Sequence, residues 1–444
     1  MLKTIKPAKI QLSEAKFFQE AGWNALMKTH EVEHAVKPSA ASPYRWVILC
    51  VAFGVQIFCS LSLYSLSPLG PYIREGLSIS NTQFGLLFTA SNLGTMVMLT
   101  FTGQLVDRRG IRGIMLAGQV IMGLLVVAAS MVGHFLPLAV LLFLTGICQS
   151  IAGPTGAASI VTWFSPKERA TAMGIKQAGI PAAGIVAGLV LPAIAAFSSW
   201  RAALRIAGVA IVASGILSFL LYRDSDIMKQ KQMTSPGAPA PAQSTRGILT
   251  RDIVLLSVGC GILMGVQFSF TSYLTGYLSE LFTAMVVVSP LVLAGTYYSW
   301  TSTGGFIGRI GLGLISDRIF HGRRKGTLLA VCVIGTLILF LMSFGAPRIG
   351  TLGVGILVFV YGLTGVSFTG IQLSLVSELA GVNASGSATG FTLALGFAGM
   401  MAFPPIFGAI IDATRDYFWG WLTLAILSLI GVLFIFPVKD PVSK

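Results

Sequence analysis

The chain has 444 residues, of which 54% are hydrophobic and only 10% charged, and its formal net charge is +14. A water-soluble domain carries about 25% charged residues, so this composition excludes an ordinary soluble globule. The basic residues sit in short segments between apolar runs, which argues against the single basic face of a nucleic-acid-binding protein.

Residues 1–43 are polar, with Lys3, Lys6, Lys9, Lys16, Lys28 and Lys37 spread along them. The first apolar run begins only near Tyr44 and is too long for a signal-peptide core, so the segment reads as a tail. Crossing the hydrocarbon takes about 20 mainly apolar residues at about 1.5 Å each. That rule predicts spans near 44–66, 81–105, 113–132, 137–163, 168–196 and 200–222. A polar segment, 223–250, follows, with a Pro/Ala-rich centre around Pro236–Ser244 that predicts an extended linker. Six more spans are predicted near 251–281, 286–315, 327–346, 349–377, 384–411 and 417–437, leaving a short tail at 438–444. None of the runs alternates as a strand would, and backbone groups in lipid are most simply satisfied within helices. The fold class expected is therefore an all-α membrane protein with 12 transmembrane helices.

The charges give an orientation. Lys and Arg collect in the tail, in 106–112, in 164–169, in 223–251, in 318–325 and after 438, whereas the alternate loops hold only Arg74, Arg201, Arg205, Arg348 and Arg415. Basic loops stay inside, which predicts cytoplasmic N and C termini. The chain also repeats itself. Gly103-Gln-Leu-Val-Asp107-Arg108 returns as Gly313-Leu-Ile-Ser-Asp317-Arg318, and Ala172-Met-Gly174 as Ala388-Thr-Gly390. Two pseudo-symmetric six-helix bundles, 44–222 and 251–437, suit a carrier that rocks about a central site.

Gly103-x-Leu-x-Asp107-Arg108-x-Gly110-x-Arg112 resembles the loop 2–3 signature of the major facilitator superfamily. Trp163-Phe-Ser-Pro-Lys-Glu168-Arg169-Ala-Thr-Ala-Met-Gly174 resembles its loop 4–5 pattern in organic-anion branches. Gly308-Arg309-Ile-Gly-Leu-Gly-Leu-Ile-Ser-Asp317-Arg318 is similar to the eighth helix of monocarboxylate- and oxalate-type members. The resemblance covers about residues 44–437 and implies a monomeric alternating-access transporter in a bacterial inner membrane. The second loop copy lacks the Gly that follows the first, and the eleventh span lacks the Lys of oxalate carriers. The resemblance further implies a gating set of Gly103, Asp107, Arg108, Arg112, Glu168, Arg169, Asp317 and Arg318, with Asp107 latching the start of span 11 near Ser385 and Ser387.

Every one of the 16 Asp and Glu residues falls in a tail, a loop or at a helix end. Two cations lie within spans, Lys176 and Arg309, each eight residues from a loop acid, Glu168 and Asp317. Intramembrane charge is costly and usually functional, and cations without a mid-span acid suit an anionic solute. A guanidinium grips a carboxylate with two parallel bonds, while an ammonium acts as a point charge. Gln177, Gln267, Tyr273 and Gln372 are further expected substrate contacts, the last three because the resemblance places spans 7 and 10 at the cavity. The expected function is transport of a small organic anion, with a proton carried alongside or by exchange. Efflux of amphipathic drugs and a non-transporting nutrient sensor are the alternatives. The five cysteines lie in apolar runs without ligand spacing and read as buried thiols. No metal site, cofactor motif or catalytic constellation is visible, and the partners expected are the bilayer and a small anion.

Overall fold

A computed structural model of the protein describes residues 42–165, 167–225, 250–318, 323–344, 348–381 and 384–440, without the side chains of Thr100, Asp107, Ala170, Leu314 and Asp317. The expected tail, most of the linker and the tip of the loop after Arg318 lie outside the described residues.

Among the described residues, twelve helical stretches follow one another. They are α1 Tyr44–Leu77, α2 Asn81–Arg109, α3 Ile111–Ala129, α4 Phe135–Trp163, α5 Thr171–Phe197 and α6 Trp200–Leu221, then α7 Arg251–Ala284, α8 Pro290–Arg318, α9 Arg324–Phe344, α10 Gly350–Ala380, α11 Ser385–Thr414 and α12 Tyr417–Ile435. Ten are long and apolar enough to cross a membrane; α2 and α8, at 29 residues each, are more polar. Large apolar side chains such as Phe197, Val209, Leu220 and Leu352 face outward, as a lipid-facing surface requires.

The first helix runs further than its apolar pattern. It bends at Ser65 and continues to Leu77, where a loop is expected from the sequence. Pro68, at the third position of the new segment, has no N–H for the Tyr64 carbonyl four residues before it, which interrupts the helix at Ser65. The Ser62 and Ser65 hydroxyls donate to the Cys59 and Ser62 carbonyls at 2.8 and 3.0 Å, so the bend leaves these hydroxyls satisfied. In α10, residues Gly362–Val366 form a π turn, a form that needs an extra residue per turn and often marks functional sites.

Helix pairing repeats with an offset of six. In the first half α1 packs on α5, α2 on α4 and α3 on α6; in the second, α7 packs on α11, α8 on α10 and α9 on α12. The halves meet through α1–α7, α2–α11 and α5–α8. The last two pairs exchange under the same offset, which is the signature of a pseudo-twofold arrangement. Small residues allow the approach. A side chain at Gly123 would meet the Gly208 carbonyl and Val212 of α6, and one at Gly295 would meet Pro192 of α5, as small-residue seams in membranes require. Cys59, Cys260 and Cys332 are buried, but Cys50 is exposed on the outer face of α1 and Cys148 is half-buried.

A contrast between two glycines tests this packing. A Cβ at Gly146 would fall on the Ser91 carbonyl of α2, whereas one at Gly103 meets nothing within 4 Å. Gly146→Val is expected to destabilise by about 1–3 kcal/mol through overpacking and Gly103→Ala by no more than about 0.5 kcal/mol, read as thermal denaturation in detergent.

Candidate functional site

A proline creates the centre of the site. Pro181 of α5 has no N–H for the carbonyl four residues before it, that of Gln177. The helix breaks there, into Arg169–Gln177 and Gly179–Phe197. The orphaned Gln177 carbonyl accepts a 3.2 Å hydrogen bond from Nη1 of Arg309, on α8 of the other half. Nε of Arg309 is buried with no partner, and among the described residues no carboxylate pairs with this guanidinium. Around it lie Tyr64 of α1, Ile180 and Pro181 of α5, Thr271 of α7, Thr301 and Ser302 of α8, and Val366 from the π turn of α10. They enclose a cavity of about 10 Å³, room for about one water. Tyr64 and Thr271 also line a second cavity of about 10 Å³, with Ser67, Phe88 and Phe268. Between these cavities the Ser67 hydroxyl donates to the Thr271 carbonyl at 2.5 Å, joining α1 to α7.

The other expected contacts spread around this centre. Lys176 precedes Gln177, but its side chain turns into the first half, where it is 2% exposed and its methylenes pack over Gly156 of α4. Gln177 contributes its carbonyl. Gln267 is buried on α7. Gln372 is fully buried beside Met264, its Nε2 4.0 Å from the sulfur and its Oε1 without a partner. Tyr273 belongs to a closure between the halves: its hydroxyl donates to the Asn81 carbonyl at 2.6 Å, and its ring stacks at an angle on Phe407, 4.8 Å between centroids.

That closure is built on Asp412, near the end of α11. Oδ1 accepts from the backbone N and Nδ2 of Asn81, both at 2.9 Å, and Oδ2 from the backbone N and hydroxyl of Thr82 at 2.8 and 2.6 Å. Ser80 and Gln83 complete the cap, each side chain bonding the other's backbone N–H. The orphan N–H groups of the α2 N-terminus are thus met by a residue of its own half and a carboxylate of the other, placed at the positive end of the helix dipole. Thr89 adds a 2.6 Å bond to the Met401 carbonyl, and Arg74 of α1 a 3.4 Å bond to the Tyr417 hydroxyl of α12.

The opposite, basic end is different. Its described ion pairs stay within one half, Arg45–Glu168 at 3.0 Å in the first and Arg324–Glu378 in the second. Arg112 donates to the Phe219 carbonyl at 2.7 Å, and Arg169 to the carbonyls of Phe164 and Val161 at 3.2 and 2.8 Å, all inside the first half. Arg108 and Arg318 are exposed. Positions for a Cβ at Gly103, Gly174, Gly313, Gly386 and Gly390 meet nothing within 4 Å. The side chains of Asp107 and Asp317 lie outside those described. Among the described residues, the side-chain bonds between the halves gather at the Asp412 end and along the centre, and none is described at the basic end.

Sequence reasoning passed over Asp412, Thr271 and Ser302, and Glu378 as an ion-pair partner. Thr271 sits in Gln267-Phe-Ser-Phe-Thr-Ser-Tyr-Leu-Thr275, a hydroxyl density unusual for a lipid-facing helix. Glu378 follows Glu168 by 210 positions, the offset that separates Asp107 from Asp317.

Paired helix repeats, lipid-facing flanks and a charged pocket between halves define a multi-pass membrane transporter. Residues 52–404 match the Major Facilitator Superfamily model, and the chain belongs to that family. It is 25% identical over 414 residues to a hexuronate transporter of Bacillus subtilis, covering 89% of this chain and 94% of that one. It is 25% identical over 421 residues to a probable sulfoacetate transporter of Cupriavidus necator, covering 88% and 92%. Among solved structures, a bacterial homolog of the human lysosomal transporter Spinster, in an inward-facing and unoccupied conformation, superposes with a TM-score of 0.71 at 15% identity over 90% of this chain and 97% of that one.

The clasp yields a prediction. Asp412→Ala removes a cap worth about 1–2 kcal/mol, which shifts the closed-to-open ratio at that end about 5- to 30-fold. A cysteine placed at Thr89 is expected to react correspondingly faster with an impermeant maleimide in the Asp412→Ala background. Equal rates would show that the carboxylate does not hold the end shut.

Proposed function

We propose that the chain is a twelve-span secondary carrier of a small organic anion, a carboxylate, working by alternating access in a bacterial inner membrane with both termini in the cytoplasm. The observation that carries this reading is Arg309. A guanidinium stays protonated at any physiological pH. Burying it without a counter-ion is costly, and here one edge is spent on a backbone carbonyl while Nε has no acceptor. A carboxylate entering from the basic end would replace the Gln177 carbonyl with two charge-assisted bonds. Tyr64, Thr271, Thr301 and Ser302 supply hydroxyls for the remaining oxygens of a polyhydroxylated or sulfonated acid. The relatives named for hexuronate and sulfoacetate carry solutes of this chemistry.

Alternation follows from which helices touch. The pair α2–α11 is clasped at one end by Asp412 on the start of α2. At the other end, on the resemblance of the loop signature, Asp107 would meet the start of α11, where Ser385 opens the helix. One helix pair would thus be sealed at either end in turn, a carboxylate meeting a helix N-terminus each time. Breaking the Arg309–Gln177 bond on substrate entry loosens the α5–α8 seam and ties the solute to the exchange of states.

The test is thermal denaturation of the purified protein with glucuronate, galactonate and sulfoacetate, beside neutral sugars. At about 100 times Kd a ligand of the folded state stabilises by about 2.7 kcal/mol. Wild type is expected to respond to at least one of these acids, Arg309→Ala to none, and Arg309→Lys only at higher concentration because the fork is lost. An undiminished response in Arg309→Ala would contradict the assignment.

A further inference from the structure

The guanidinium explains anion binding but cannot release a proton, and no mid-span carboxylate is present in the sequence. The remaining intramembrane titratable cation is Lys176, which Arg309 leaves without a role. We propose that Lys176 carries the coupling proton: it is an ammonium while the anion is bound and an amine when the site is empty. This deepens, and rests on, the reading of the Arg309 pocket as an anion site.

Three features of the geometry support it. First, Lys176 is 2% exposed and its Nζ has no hydrogen-bond or ion-pair partner among the described residues. An ammonium held so is a costly state, and a negative charge arriving at Arg309, which is bound to the next residue's carbonyl, lowers that cost. Second, a slot is built for the side chain. A Cβ at Gly156 would fall on Cε of Lys176, so the absence of a side chain on α4 makes room for it. Among the described residues, the titratable groups facing it are neutral or cationic. Cys59 of α1 is the neighbouring titratable group, Cys148 of α4 stands beyond Cys59, and Arg309 of α8 is bound to the next residue's carbonyl. Third, Lys176 lies one residue before the carbonyl that Arg309 releases when an anion arrives, at the last turn before the break at Ala178. The joint that substrate loosens is the one that aims the lysine.

The step balances. One proton from solvent joins the neutral amine as one anion joins the Arg309 site, and the anion's charge offsets that of the new ammonium. Proton and anion leave on the far side, and the amine returns with the empty carrier. One proton moves with each anion, so a monovalent acid crosses without net charge.

Purified protein in liposomes, with a pH dye inside and labelled glucuronate, galactonate or sulfoacetate outside, tests this. Wild type is expected to accumulate the acid down a proton gradient with one proton entering per anion. Lys176→Met and Lys176→Arg are expected to keep anion exchange between loaded and unloaded faces but to lose gradient-driven accumulation. Retention of the thermal response to the same acid shows that these variants are folded. Gradient-driven accumulation persisting in either variant overturns the proposal, since neither side chain can cycle a proton. Anion movement in wild type without proton entry also overturns it and leaves the anion reading intact. Failure of wild type to bind or move any of the three acids overturns both.

Discussion

The contact on which the rest depends is the one between the Gln177 carbonyl and Arg309. It exists because Pro181 cannot bond the carbonyl four residues behind it, and because α8 brings a guanidinium to that gap. Two unfavourable groups, an orphan acceptor and a buried cation, satisfy one another across the seam between the halves. The match is partial, since Nε remains unbonded. A neutral carbonyl is a weaker partner for a guanidinium than a carboxylate, so on the proposed function an entering anion would displace it.

The two ends of the molecule are built on different logic. At the Asp412 end a carboxylate from one half completes the N-terminal cap of a helix in the other, with four hydrogen bonds from two consecutive residues. At the basic end the described pairs lie within one half: Arg45 with Glu168, Arg324 with Glu378, and Arg112 with a carbonyl of α6. Interactions kept inside a half do not resist separation of the halves. The described bonds between the halves therefore lie at the Asp412 end and at the guanidinium in the centre.

Much of this was legible in the chain. Apolar runs of about 20 residues located the helices, and the recurrence of Gly-x-x-x-Asp-Arg announced the repeat that the helix pairing bears out. The two intramembrane cations were visible as sequence facts, and Pro181 four residues after Gln177 is a local signal for an orphan carbonyl. What the sequence hid was long-range. The extension of α1 to Leu77 is masked by Pro68 and Pro71, which read as breakers although the first stands in an opening turn. Asp412 reads as a loop acid, because its partners Asn81 and Thr82 are more than 300 positions away. Nor does hydropathy reveal that Lys176 turns towards Gly156 while Arg309 turns towards Tyr64. Their equal depth suggested one shared cavity, and side-chain direction separates them.

The central claim is that Arg309 exchanges a backbone carbonyl for a substrate carboxylate. Its most direct test is an experimental structure of the protein solved with the acid that stabilises it most. The account predicts density for the carboxylate against the Arg309 guanidinium, beside Tyr64 and Ser302, with the Gln177 carbonyl released. Bound density elsewhere in the bundle, with Arg309 still on Gln177, would contradict it.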